Sequence, residues 1–181
     1  MVAVALEKTE PIVLARRRLQ VVRTFSYRFR QPYHTAEKME PAEAAAFVRS
    51  VETEARELAF AGIRSLQKEL EQVEVSLCGG ALLLAAGRKL PEFQKILASH
   101  ALIHTADGEL FRGSLRHACS RARLDLDPIA ERTLFAAASQ RLKKREEFLN
   151  GKLTALGKAL GPPWTQDEKL AALAAWLVLA S

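Results

Sequence analysis

Cysteine is scarce in this chain: Cys78 and Cys119 are the only two among 181 residues. Neither belongs to a CxxC pair, which leaves out a thiolate zinc knuckle and a redox dithiol and makes two small buried thiols the expected state. Long apolar runs are missing too. The longest, Leu170–Ala180, falls well short of the roughly 20 residues that cross a bilayer. The start, Met1–Lys8, lacks the basic, apolar and small-residue order of a secretory signal, so a cytoplasmic location without membrane attachment is expected. Neither GxxxxGK[ST] nor GxGxxG occurs, which removes the common nucleotide loops. No RNP, KH, helix–turn–helix or zinc motif is present. There is no internal repeat, low-complexity stretch or Gly/Ser linker, and aromatic residues make up only 7%.

What is abundant is apolar and helical in character. The hydrophobic fraction is 49%, much of it alanine and leucine, and charged residues contribute 27%. This suits a single domain over 1–181, with residues 1–40 a less regular, basic N-terminal segment. The net charge of +6 is unevenly placed. Arg16, Arg17, Arg18, Arg23, Arg28 and Arg30 fall in one window that holds no acid.

Hydrophobic spacing organises the rest. Pro41 opens a helix at 41–72 in the first-turn position where its missing N–H costs nothing. Ala44, Phe47, Val48, Val51, Ala55, Leu58, Gly62, Ile63, Leu66 and Leu70 mark its apolar face. Val73–Gly87 then alternates, breaks at Gly79-Gly80 and turns wholly apolar, which predicts a strand at 73–86. A helix at 91–123 follows, with a candidate break near Thr105–Gly108, and then a short strand at 124–127. Strand, helix, strand is a parallel crossover unit. Heptad-like leucines predict a helix at 130–160, and Thr165-Gln166-Asp167-Glu168 carries the capping-box pattern of a last helix at 165–180. Phe25, Tyr27 and Phe29 alternate with Ser26, Arg28 and Arg30, as in a strand at 24–30. The expected fold is therefore helix-dominated α/β with a small sheet covered by long helices. An all-α bundle, with Val73–Gly87 helical, is the alternative.

The candidate site lies on the 91–123 helix. His100, His104 and Asp107 fall on what reads as its buried stripe, beside Phe93, Ile96, Leu97, Phe111, Leu115 and Ala118. Two histidines one turn apart present imidazoles to one point, and a carboxylate a turn further on completes three metal ligands. Without a metal, a histidine oriented by a carboxylate serves as a general base at neutral pH, with Glu109 as a further acid–base candidate. Arg112, and more weakly Arg88 and Lys89, are candidates to hold an anionic ligand. Asp107 has a rival reading as a cap that restarts a helix after a bend.

Three function classes follow. The first is a ligand-binding or hydrolytic domain acting on a phosphoester-type bond, with water as nucleophile and a metal-free pocket preferred to a divalent metal. The second is a nucleic-acid-binding module using the arginine window, its aromatics stacking on unpaired bases. The third is an assembly protein whose helical faces support a homo-oligomer.

Overall fold

The computed structural model describes residues 1–85 and 89–180. Its elements in chain order begin with strands β1 (Val2–Glu7) and β2 (Glu10–Arg16) and helices α1 (Tyr27–Arg30), α2 (Pro32–Ala36) and α3 (Pro41–Glu71). Strand β3 (Gly80–Leu84), helices α4 (Phe93–Leu97) and α5 (His100–Arg121) and strand β4 (Leu126–Ala130) follow. After a 3-10 turn at Glu131–Thr133, helices α6 (Leu134–Leu142), α7 (Glu146–Leu160) and α8 (Gln166–Leu179) complete the order. Among the described residues the protein is 61% helical with four short strands, a helix-dominated α/β fold rather than an all-α bundle.

The contacts divide these elements into two compact units. The first takes Met1–Arg18, the segment that starts at Cys78, and the chain from Asp125 onward. In it β1 and β2 form an antiparallel hairpin through a tight turn at Lys8, whose φ is 59°. Strands β3 and β4 pair in parallel, with Gly80 opposite Leu126 and Leu84 opposite Ala130. Helix α8 packs on β1 and on β3, and α6 and α7 pack on α8. This is why α8 is apolar on nearly every face: Leu170, Leu173, Trp176 and Leu177 all meet the core formed with Leu134, Leu149 and Leu153. Its start is a complete capping box, with Thr165 and Glu168 each accepting the other's backbone N–H.

The second unit takes Leu19–Leu77 and a later segment that ends at Leu124. Its frame is α3 against α5. Ala44, Val48, Val51, Ala55, Ala59, Ile63, Leu66 and Leu70 are the buried stripe of α3, at the spacing read from sequence. The alanines let α5 approach closely: Ala59 and Ile63 share a core cluster with Ala118 and Ala122. Helix α2 packs on α3, α4 and α5.

Several expectations need correction. The alternating segment 24–30 is not a strand but a loop followed by α1, since Phe25 and Tyr27 face solvent and Pro32 opens a further helix directly behind. Residues 1–40 are more regular than expected, because the β1–β2 hairpin occupies their first part. Of the strand expected at 73–86, Gly80–Leu84 is observed and Ala86 lies outside the described residues: Val73 is 65% exposed and Glu74 has a φ of 58°, so the first stretch is the unwound end of α3. The second strand lies at Leu126–Ala130 rather than 124–127, and the parallel pairing holds. The helix at 91–123 is two helices, divided at Ala98-Ser99 and continuous through Thr105–Gly108. The helix at 130–160 is likewise divided, at Lys143, which adopts the left-handed conformation at the end of α6. Among the described residues, no helix is long and apolar enough to cross a membrane.

Candidate metal centre

Pro32 starts α2 where proline is best tolerated, and one turn of helix then turns His34 inward beside the fully buried Ala36. His34 is only 6% exposed. Its partner stands 73 residues away: His34 Nδ1 lies 2.6 Å from Asp107 Oδ2. The other carboxylate oxygen, Asp107 Oδ1, accepts the backbone N–H of Tyr33 at 2.7 Å. A buried carboxylate without partners would be costly, and here both of its oxygens are engaged. The Tyr33 phenol packs on Phe93, and burial, aided by the negative charges of Glu52 and Asp107, raises its pKa.

With Nδ1 bound to Asp107, His34 has Nε2 left for other work. His100 and His104 stand one turn apart on α5, and their Nε2 atoms lie 3.0 Å from each other. The ring of His34 is 4.4 Å from that of His104 and 5.2 Å from that of His100, centroid to centroid. One ligand nitrogen from each of the three histidines falls within 4.8 Å of the others. Three of the four histidines in the chain thus converge. The fourth, His117, lies further along α5 and is exposed.

Metal–nitrogen bonds of about 2.0–2.1 Å at tetrahedral angles put two ligand nitrogens roughly 3.4 Å apart. The His100–His104 spacing is close to that value already. The remaining closure falls to exposed rings, since His100 and His104 are exposed and only His34 is buried. A histidine fixed by a carboxylate through its second nitrogen is the usual outer-shell arrangement of a metal-binding imidazole.

His100 and His104 come together as expected, but not on the buried stripe. That stripe is Ile103, Ala106, Asp107, Leu110, Ser114 and Ala118, and the histidines border it. Asp107 lies in mid-helix, so it is no cap; it faces His34 and is not among the three converging ligands. Glu109 and Arg112 are bound to each other, Arg112 Nε donating to Glu109 Oε1 at 2.8 Å, while Arg116 donates to Glu109 Oε2 at 3.3 Å. Burial pushes the Glu109 carboxyl up, but the hydrogen bonds and charges of Arg112 and Arg116 together hold it below its ordinary value. Such a group is a poor base. Lys89 is exposed, and Arg88 lies outside the described residues.

The arginine window is divided between the two units, with Arg16, Arg17 and Arg18 in the first and Arg23, Arg28 and Arg30 in the second. Arg16 is committed internally: it donates to the carbonyls of Gly161 and Pro163 and lies 3.7 Å from Glu168. Arg23 pairs with Glu54 at 3.0 Å. Arg28 sits 4.8 Å over the Phe47 ring and Arg30 sits 4.5 Å over the Phe25 ring.

Sequence reasoning missed His34, the buried member of the cluster. The available signal was Pro32 two residues earlier, which marks a helix start and gives His34 an inward-turned position. Comparison of the chain with protein-family models, with curated proteins and with solved structures found no match.

Proposed function

We propose that the second unit binds a divalent transition metal through His34, His100 and His104, with Asp107 as the carboxylate that orients His34. The observation that carries this reading is the engagement of His34 Nδ1 by Asp107 while a ligand nitrogen of each histidine converges on one point. Imidazole nitrogen favours zinc, copper, nickel or iron over magnesium or calcium, which prefer oxygen. Zinc is the first candidate.

Three protein ligands on a solvent-facing cluster leave a fourth position open, the arrangement of catalytic rather than structural zinc sites. Hydrolysis of a phosphoester-type bond is the chemistry we assign to it. A metal held by these three histidines would supply a water activated for addition to phosphorus, with the bond from phosphorus to the leaving oxygen breaking. The proton lost by the water is balanced by the proton taken up by the leaving oxygen, so no oxidant or reductant is needed.

The test is binding of Zn²⁺ and Co²⁺ to metal-stripped protein, followed by calorimetry and by the visible bands of tetrahedral cobalt. Stoichiometric binding lost in His100→Ala and His104→Ala is the expected result. Equal binding by the wild type and the double variant would overturn the reading. Bis-p-nitrophenyl phosphate, offered to the zinc-loaded protein, tests hydrolysis separately: metal bound without turnover leaves a binding site and removes the hydrolytic assignment.

A further inference from the structure

His100, His104, Gly108 and Arg112 follow one another at four-residue intervals along α5, so they share one ridge of that helix. Only proline is a poorer helix former than glycine, yet Gly108 stands in mid-helix. The place of its missing side chain is taken by the Arg112 guanidinium. A Cβ on Gly108 would lie 2.7 Å from Arg112 Nη2, 3.3 Å from Cζ and 3.4 Å from Nη1. Arg112 is thus folded back along the ridge towards His104, which stands one turn, about 6 Å, before Gly108. Glu109 holds the group by its root, since the hydrogen bond at 2.8 Å comes from Nε. The second oxygen of Glu109 accepts from Arg116. The Arg112 side chain is 23% exposed, so it is fixed and still within reach of a ligand. Glu109, Arg112 and Arg116 together remain positive.

We infer that Arg112 is the anion-holding residue of the histidine site, binding the phosphoryl group of a substrate through Nη1 and Nη2 from the seat that Gly108 provides. The inference rests on the metal-site reading and gives it a substrate class, the phosphate esters. A guanidinium presents paired N–H groups that match two oxygens of one anion. A carboxylate that meets both has no oxygen left for the histidine end of the ridge. A tetrahedral phosphoryl group still turns oxygen the other way.

The test is titration of cobalt-loaded protein with inorganic phosphate and with acetate, followed by the visible bands and by calorimetry. Calorimetry is repeated with metal-stripped protein. Expected are phosphate binding tighter than acetate and a loss of about tenfold or more in Arg112→Gln, at unchanged zinc affinity. Gly108→Ala keeps Arg112 and its charge and favours the helix, but it fills the seat, so it should weaken phosphate binding as well. Arg132→Gln, in the other unit, should change nothing. Phosphate affinity untouched by Arg112→Gln or by Gly108→Ala, equal affinity for acetate, or zinc affinity lost together with phosphate would overturn the inference. Cobalt bound with phosphate affinity independent of Arg112 defeats it while leaving the metal site intact. Phosphate held through Arg112 by a protein that takes up no metal defeats the metal reading and keeps the anion seat. Binding of neither defeats both.

Discussion

Asp107 divides its carboxylate between the two halves of one dipeptide, one oxygen on the imidazole of His34 and the other on the backbone N–H of Tyr33. The side chain therefore fixes where α2 lies on α5 and, in the same act, which nitrogen of His34 is left for a ligand. Structure and chemistry share one group.

Asp107→Asn separates these two roles. The amide oxygen can still accept from Tyr33, but its NH₂ would then donate to His34 Nδ1 and place the imidazole proton on Nε2, where a metal must bind. Zinc affinity should fall about 10–100-fold, while the melting temperature of the metal-free protein changes little. Titration of both proteins with zinc, alongside thermal unfolding, checks this. Undiminished affinity would mean that Asp107 only packs.

The three histidines should differ sharply in the absence of metal. His34→Ala strips a buried carboxylate of its partner and should cost about 1–3 kcal/mol. His100→Ala and His104→Ala, at exposed positions, should stay within about 0.5 kcal/mol of the wild type. Denaturant unfolding of metal-stripped protein measures all three. Equal losses would contradict the division between one buried and two exposed ligands.

How far the sequence disclosed this site depends on separation along the chain. His100 and His104 are legible because helical spacing is a local rule, and Asp107 is legible by the same rule. His34 reaches them from another helix, and nothing in one sequence reports which side chains meet across a tertiary contact. The fold divides in the same way. Pro41, the apolar stripe to Leu70 and the Thr165 capping box specify their helices locally, as does the glycine-marked strand of the crossover. The break at Lys143 hid inside a continuous leucine pattern, because a left-handed residue changes direction without changing hydrophobic spacing. At α1, four residues are too few for a period of two and a period of 3.6 to be told apart.

Stability of the second unit should depend on acid through Glu109. Its carboxyl titrates below the ordinary value in the folded chain, under Arg112 and Arg116. The stabilisation is complete above the unfolded-chain value and disappears as pH falls through the lower folded one. Melting temperatures of the wild type and Glu109→Gln should converge at low pH and separate towards neutrality, with the wild type higher. A constant gap at every pH would assign the difference to packing.

Gly157 is required by a close approach. A Cβ there would overlap Trp164 Cδ1, and Trp164 is held in place by donating from Nε1 to the Leu153 carbonyl at 2.9 Å. Gly157→Ala, favourable for a free helix, should here destabilise by about 1–3 kcal/mol. Chemical unfolding followed by tryptophan fluorescence reads it directly. A stabilised variant would show that the indole moves aside easily.

The interleaving of the two units along the chain sets an order of events on the ribosome. All of the histidine-bearing unit has been synthesised once Leu124 emerges, whereas β3 is made long before β4, the strand it pairs with. Domains fold as units while synthesis proceeds. The unit that carries the ligands therefore has every residue it needs while the other still waits for its last segment, and a pause in translation just beyond Leu124 would lengthen that interval.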